Sequence, residues 1–303
     1  MNSHTSHSRK IQKSTSILSK NRFSLTKYLC FNIIIYGGMI VGTLYNNQIF
    51  DNNGIWWGIA LIPLFLNLFR FIVIGFLLLA AAVFGIYWRD LSWYYLVLFP
   101  IALYLGHFSA VLLHNAVHNC FKPLWLNPVI GEICAMQQLS AGFPVFKLVH
   151  YQHHIHSDDL VKDPHPSVGY SFWGYIDAVR PMVMERLKAI YLENWGDTEQ
   201  SQRIWTLNLV LLFVCRFLKT LFWFALLGPK LFALVFVPSY ISYIYLFASF
   251  NYFTHHEKND GSVEILNLDN NWYFKFCNRT LFGVFYHKNH HLKPRLFNPM
   301  YFN

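Results

Sequence analysis

The sequence predicts an all-α, polytopic integral membrane protein with a cytoplasmic cap that carries a histidine-rich dimetal site. Three observations predict it. The chain's 303 residues are 54% hydrophobic and only 13% charged, more apolar and less charged than a soluble domain. Its apolar residues gather in stretches fit for lipid, since a helix needs about 20 of them to cross the hydrocarbon. Histidines cluster at the ends of those stretches, as His114-x-x-x-His118, His150-x-x-His153-His154 and His287-x-x-His290-His291. A membrane protein has few reasons other than metal binding to gather imidazoles there.

Taken in order, residues 1–26 are rich in Ser and Lys and read as a flexible basic tail, with His4 and His7 as solvated side chains. Arg9, Lys10, Lys13, Lys20, Arg22 and Lys27 are uninterrupted by any acid, which places the amino terminus in the cytoplasm by the positive-inside rule. The first apolar run starts late, is long and lacks a small-residue cleavage site, unlike a signal peptide. From residue 27 to 303 the chain reads as a single membrane domain. Residues 29–45 and 91–113 each fit one crossing, while Ile55 to Trp88, interrupted by Arg70, reads as a tight hairpin of two.

Residues 115–203 are more polar, with interspersed Trp and Tyr as at a membrane surface. Within them, Leu124 to Val149 contains Pro128, Gly131, Gly142 and Pro144 and reads as interfacial or re-entrant. Residues 204–227 and 231–252 form two further apolar segments, separated by a turn at Gly228-Pro229-Lys230. Arg216 and Lys219 in the first of these must snorkel, face protein, or mark an interfacial piece. An even number of crossings before each cluster puts all three on the cytoplasmic side.

The formal charge of +9 comes from scattered basic residues without a nucleic-acid-binding motif, so no nucleic acid partner is expected. Five cysteines, odd in number and never in a C-x-x-C pair, indicate neither a disulfide framework nor a thiolate metal site.

With histidine at about one residue in twenty, an H-x-x-H-H pattern arises by accident in roughly four such chains of a hundred. This chain has two. Residues four apart share a helix face, so His114 and His118 can grip one ion. In each H-x-x-H-H box the adjacent rings diverge around the helix and can reach different ions, a spacing that favours two metals over one four-coordinate zinc. Asn251-Tyr252-Phe253-Thr254-His255 again sets polar groups at i, i+4, either as a metal-facing pair or as the polar end of a membrane helix. His107, inside an apolar stretch, fits packing or a channel better than ligation. His156, His165 and His256 fit supporting or surface positions. Asp158, Asp159, Asp163 and Glu257 are either hydrogen-bond partners of ring N–H groups or solvent-facing carboxylates. An all-imidazole site suits iron, copper, nickel or zinc. Two iron ions there could activate dioxygen against an alkyl C–H bond, which offers no proton that acid/base chemistry could remove.

In the order and spacing of these boxes, and their place beside the apolar segments, the chain from about Leu91 to Pro294 resembles the membrane fatty acid desaturases and their hydroxylase relatives. The resemblance implies a non-haem diiron centre with dioxygen as co-substrate. Its implied ligands are His114, His118, His150, His153, His154, His255, His287, His290 and His291, with Asn251 contacting a metal through water. It also implies a lipid acyl substrate, contact with membrane lipids and, since no fused haem domain is apparent, a separate electron donor such as a ferredoxin or cytochrome. The His153-His154-Ile155-His156 and Asp163-Pro164 stretch is similar to the family's region after its second box. A histidine rather than glutamine at the start of the third box disfavours the subgroup acting near the carboxyl end. The short first box looks more like bacterial or plastid acyl-lipid enzymes, with the bacterial inner membrane as the implied location. Asn251-Tyr252-x-x-His255 also resembles a segment of membrane alkane hydroxylases, so hydroxylation of a fatty acid, alkane or carotenoid-like lipid is the nearest rival. A zinc-dependent membrane hydrolase or receptor is the rival from another class, but zinc needs only three or four of these histidines.

Overall fold

A computed structural model describes residues 24–47 and 94–302 of the chain. The hairpin expected from Ile55 to Trp88, and all of the basic tail before Ser24, lie outside the described residues. Of the described residues, 72% are helical. Its long helices are α1 (Leu25–Asn47), α2 (Tyr94–Val117), α5 (Phe172–Trp195), α6 (Glu199–Leu231) and α7 (Val237–Thr254). The shorter α3 (Leu126–Gln137) and α4 (Phe143–His156) lie between α2 and α5, and α8 (Trp272–Thr280) and α9 (His287–Leu292) follow α7.

Among the described residues, four helices are long and apolar enough to cross a membrane: Leu25–Thr43, Val97–Val117, Glu199–Gly228 and Phe232–Thr254. They coincide with the four apolar segments expected there. Lys219 and Arg216 both face protein. The Lys219 ammonium donates to the Ser140 carbonyl at 2.8 Å and lies over the Tyr36 ring. Helix α6 breaks at Gly228, whose φ of 69° is open to glycine without a Cβ clash. The chain then passes through a π-helical turn, Phe232–Phe236, into α7. Helix α5 is as long as α2 but carries charges such as Glu185, Arg186 and Lys188 and is not among the apolar spans. Helices α3 and α4, at 12 and 14 residues, are too short to cross a bilayer, as the prolines and glycines of that segment led us to expect.

Helix α1 packs on α6, and α2 packs on both α7 and α3. At Gly106 the α2 backbone approaches α7 so closely that any Cβ would collide with the Ser239 carbonyl and Ser242. Small residues at such a crossing replace the hydrophobic drive that lipid cannot supply. Helices α2 and α7 therefore form a locked pair, and both end at the histidine cluster. Beyond α7 the chain turns back in a two-stranded hairpin, β1 (His255–Glu257) against β2 (Val263–Ile265). This hairpin is the one departure from an all-helical expectation among the described residues. Its signal was the Asp260-Gly261 turn between two short extended runs.

Candidate metal centre

The three boxes and His255 arrive at one place from four parts of the chain. Helix α2 supplies His114 in its last turn and His118 just past its end, and the last two turns of α4 carry His150, His153 and His154. His255 stands at the α7 to β1 junction, and α9 carries His287, His290 and His291. Asparagines hold α9 in place: Asn267 donates to the Asn289 side chain at 2.8 Å, and Asn289 donates to the Pro299 carbonyl at 3.0 Å.

The nine histidines form two groups rather than one. His114, His118, His150, His154 and His290 make the first, and His153, His255, His287 and His291 the second; within each, one nitrogen per ring lies within 4.8 Å of all the others. Adjacent histidines part company, His153 from His154 and His290 from His291, because neighbours on a helix point about 100° apart. In the first group the Nε2 of His150 lies 2.8 Å from that of His118 and 3.0 Å from that of His154, which is 3.1 Å from that of His290. In the second, the Nε2 of His287 lies 2.9 Å from that of His255 and 3.0 Å from that of His291.

Each group therefore crowds several ring nitrogens around one point. A neutral imidazole carries one proton on two nitrogens, so such a ring of facing atoms cannot be satisfied by hydrogen bonds alone. The Nε2 atoms of His114 and His153 are buried with no hydrogen-bond partner. Burial, then the neighbouring imidazoles, hold His118, His150, His287, His290 and His291 well below the ordinary histidine pKa. Their lone pairs are thus available, the state that a metal requires. The residues fit two nitrogen-ligated transition metals, and five donors in one group exceed what a structural zinc takes.

Two of the four candidate carboxylates support the second group. The His153 Nδ1 donates to Asp163 at 2.9 Å and the His255 Nδ1 to Asp158 at 2.9 Å. Burial alone would depress His153, but the Asp163 carboxylate outweighs it and holds the ring above its ordinary pKa. Asp163 also organises its own loop, accepting the backbone N–H of Asp158 at 2.8 Å and of His165 at 3.0 Å. Asp158 turns through a left-handed φ of 66° to reach His255. Asp159 instead accepts the Val161 and Lys162 N–H groups at the surface, and Glu257 is exposed on β1.

The remaining histidines sort as follows. His107 bonds Ser242 and Tyr273 between α2, α7 and α8, a packing role. His165 is buried, its ring 4.4 Å from that of His153, and it falls in a third potential group with His153 and Asp163. His156 is half-buried and His256 exposed. Asn251 is buried, donates to the Phe247 carbonyl at 2.7 Å, and lines a small cavity together with His114 and His150.

That cavity, about 30 Å³, is otherwise apolar, walled by residues such as Val111, Leu246 and Phe250. It shares Gln138, Phe146, Tyr243 and Phe247 with a second cavity of about 110 Å³ between α4, α5 and α7, so the two are neighbours along one path. Through Val145 and Leu187 the second cavity adjoins an open groove of about 800 Å³ beside α1. Sequence reasoning missed Gln138, which is buried with its carbonyl oxygen unpaired. A lone glutamine after an interfacial helix carries no local signal.

The fatty acid desaturase family model matches residues 91–297, a segment that begins just before α2 and contains all nine histidines. The chain belongs to the fatty acid desaturase family. This desaturase-family chain is accordingly an integral membrane protein, with α2, α6 and α7 inside the matched segment. No curated protein and no solved structure matches it.

Proposed function

We propose that this protein is an oxygen-dependent desaturase of lipid acyl chains. In this reading His114, His118, His150, His154 and His290 hold one iron ion, and His153, His255, His287 and His291 hold the other. Asn251, which lines the same cavity as His114 and His150, would hold a water on the first ion. The observation that carries the reading is the apolar cavity bordered by His114 and His150, because it brings an alkyl chain to the donor set. Two irons bound there would supply the activation of dioxygen that an unactivated C–H bond demands.

The chain's own residues do the rest. Phe146, Tyr243, Phe247 and Phe250 exclude water and confine a methylene pair against the histidines, which lowers the entropy cost of reaction. Asp158 and Asp163 fix the ring orientation and tautomer of His255 and His153. Electrons come from a separate carrier, a ferredoxin or cytochrome. The histidine end and the amino terminus face the cytoplasm; cysteine-accessibility labelling at Lys10 and Leu160 from one same side would support this, and labelling from opposite sides would overturn it.

Metal analysis of the purified protein should give two irons per chain. Mass spectrometry of lipids from an expressing strain should show acyl chains lighter by two hydrogens at unchanged carbon number. A product heavier by one oxygen without a new alkene would transfer the protein to the hydroxylase branch, and one zinc with neither product would end the oxidative reading.

A further inference from the structure

The larger of the two neighbouring cavities is not uniformly apolar. Its walls are mostly aliphatic, as at Leu139, Val149 and Val183, yet two guanidinium groups enter it, Arg180 from α5 and Arg216 from α6. Arg180 has a partner, donating to the Tyr240 hydroxyl at 2.8 Å and lying over that ring. Arg216 differs. Its Nε is buried without a hydrogen-bond partner, and among the described residues no acidic side chain forms an ion pair with it. Its polar neighbours are Arg180, a like charge, and the neutral phenols of Tyr240 and Tyr243.

Arg216 lies within the apolar span Glu199–Gly228, where an ionised side chain is costly and marks a functional position unless it is compensated. Its neighbour on α6 shows what compensation looks like: Lys219, one turn on, is bonded to the Ser140 carbonyl. One helix thus gives one cation a carbonyl partner and leaves the Nε of the next without one, in a residue that lines a cavity. A guanidinium presents a planar fork of donors that fits a carboxylate or phosphate.

We propose that Arg216, with Arg180, binds the anionic end of the acyl substrate. This rests on the acyl-chain reading and adds where the chain is anchored. Tyr243, which borders both cavities, stands two turns before Asn251 on α7, about 12 Å along the axis. A chain anchored at Arg216 and running past Tyr243 presents its middle, not its first methylenes, to His114 and His150. The shared chemistry is an oxyanion on an alkyl chain, either a free fatty acid or the phosphate of a lipid headgroup.

The test is equilibrium binding to the full chain in phosphatidylcholine nanodiscs, without turnover, of three probes: hexadecanoate, hexadecyl phosphate and methyl hexadecanoate. We expect one of the anions to bind at least about tenfold more tightly than the ester, and the tighter anion identifies the source. Arg216→Gln should remove that preference, and Arg216→Lys should retain part of it. Equal binding of anions and ester by the unmodified protein overturns the proposal without touching the acyl-chain reading, and needs no variant to fold. A preference that survives Arg216→Gln, in protein of unchanged helicity, overturns it as well. Failure of all three probes to bind sinks the acyl-chain reading and this anchor together.

Discussion

The two histidine groups share chemistry but not surroundings. The four-histidine group is braced from behind, with the rings of His153 and His255 each donating to a carboxylate. The five-histidine group faces outward, with His114 and His150 in the wall of an apolar cavity and the Phe146 ring stacked parallel to His150 at 5.9 Å. Carboxylate partners raise the basicity of a ligating imidazole and fix its orientation, so the second group is built for retention. The first is built for access. In the proposed reading, the division lets one fold give holding and reacting to different sites while using the same donor.

The largest expected effect breaks both sides of the comparison. Alanine at His154 or at His291 should lower iron toward one ion per chain and abolish product, because catalysis requires both groups; full turnover by either variant removes that residue from the ligand set. Next, Asp163→Asn and Asp158→Asn should each cost about 10- to 100-fold in metal affinity or activity, with loss concentrated in the second ion. Competition with a chelator, followed by metal counting, reads this directly, and equal loss of both ions would erase the distinction between the groups. Filling the cavity acts on the first group alone: Ala110→Phe, at the wall shared with His114, should leave two irons in place while product falls at least about tenfold, since small displacements at a reacting centre change rates greatly. The smallest effect is expected at the carboxylates that face water. Asp159→Asn and Glu257→Gln should change stability by no more than about 0.5 kcal/mol and leave iron content unaltered, measured by thermal unfolding and metal analysis.

Much of this was legible in the sequence because helices write their geometry at fixed intervals. The i, i+3, i+4 spacing marks the boxes, and the divergence of adjacent residues anticipates that His153 and His154 serve different groups. The apolar segments at 29–45, 91–113, 204–227 and 231–252 correspond to α1, α2, α6 and α7 within a few residues. What stayed hidden depends on turns and on distance along the chain. Asp158 and Asp159 are neighbours of identical chemistry, and only the left-handed turn at Asp158 sends one to His255 and the other to its own loop. Gln138, Arg180 and Arg216 come together from three helices to line one cavity. No local pattern announces such a meeting.

The parting of His153 from His154 has a consequence for the register of α4. Because the last two turns of this helix serve as a common wall between the groups, no rotation of the helix can improve the aim of one set without spoiling the other. A single residue inserted between Phe143 and His150 would swing the whole box by about 100°, carrying His150 and His154 away from His114 in the same motion that withdraws His153 from His255. The register of α4 is thus a shared constraint, and the packing of Val145 and Val149 against Leu187 and Trp205 is what keeps both groups in aim.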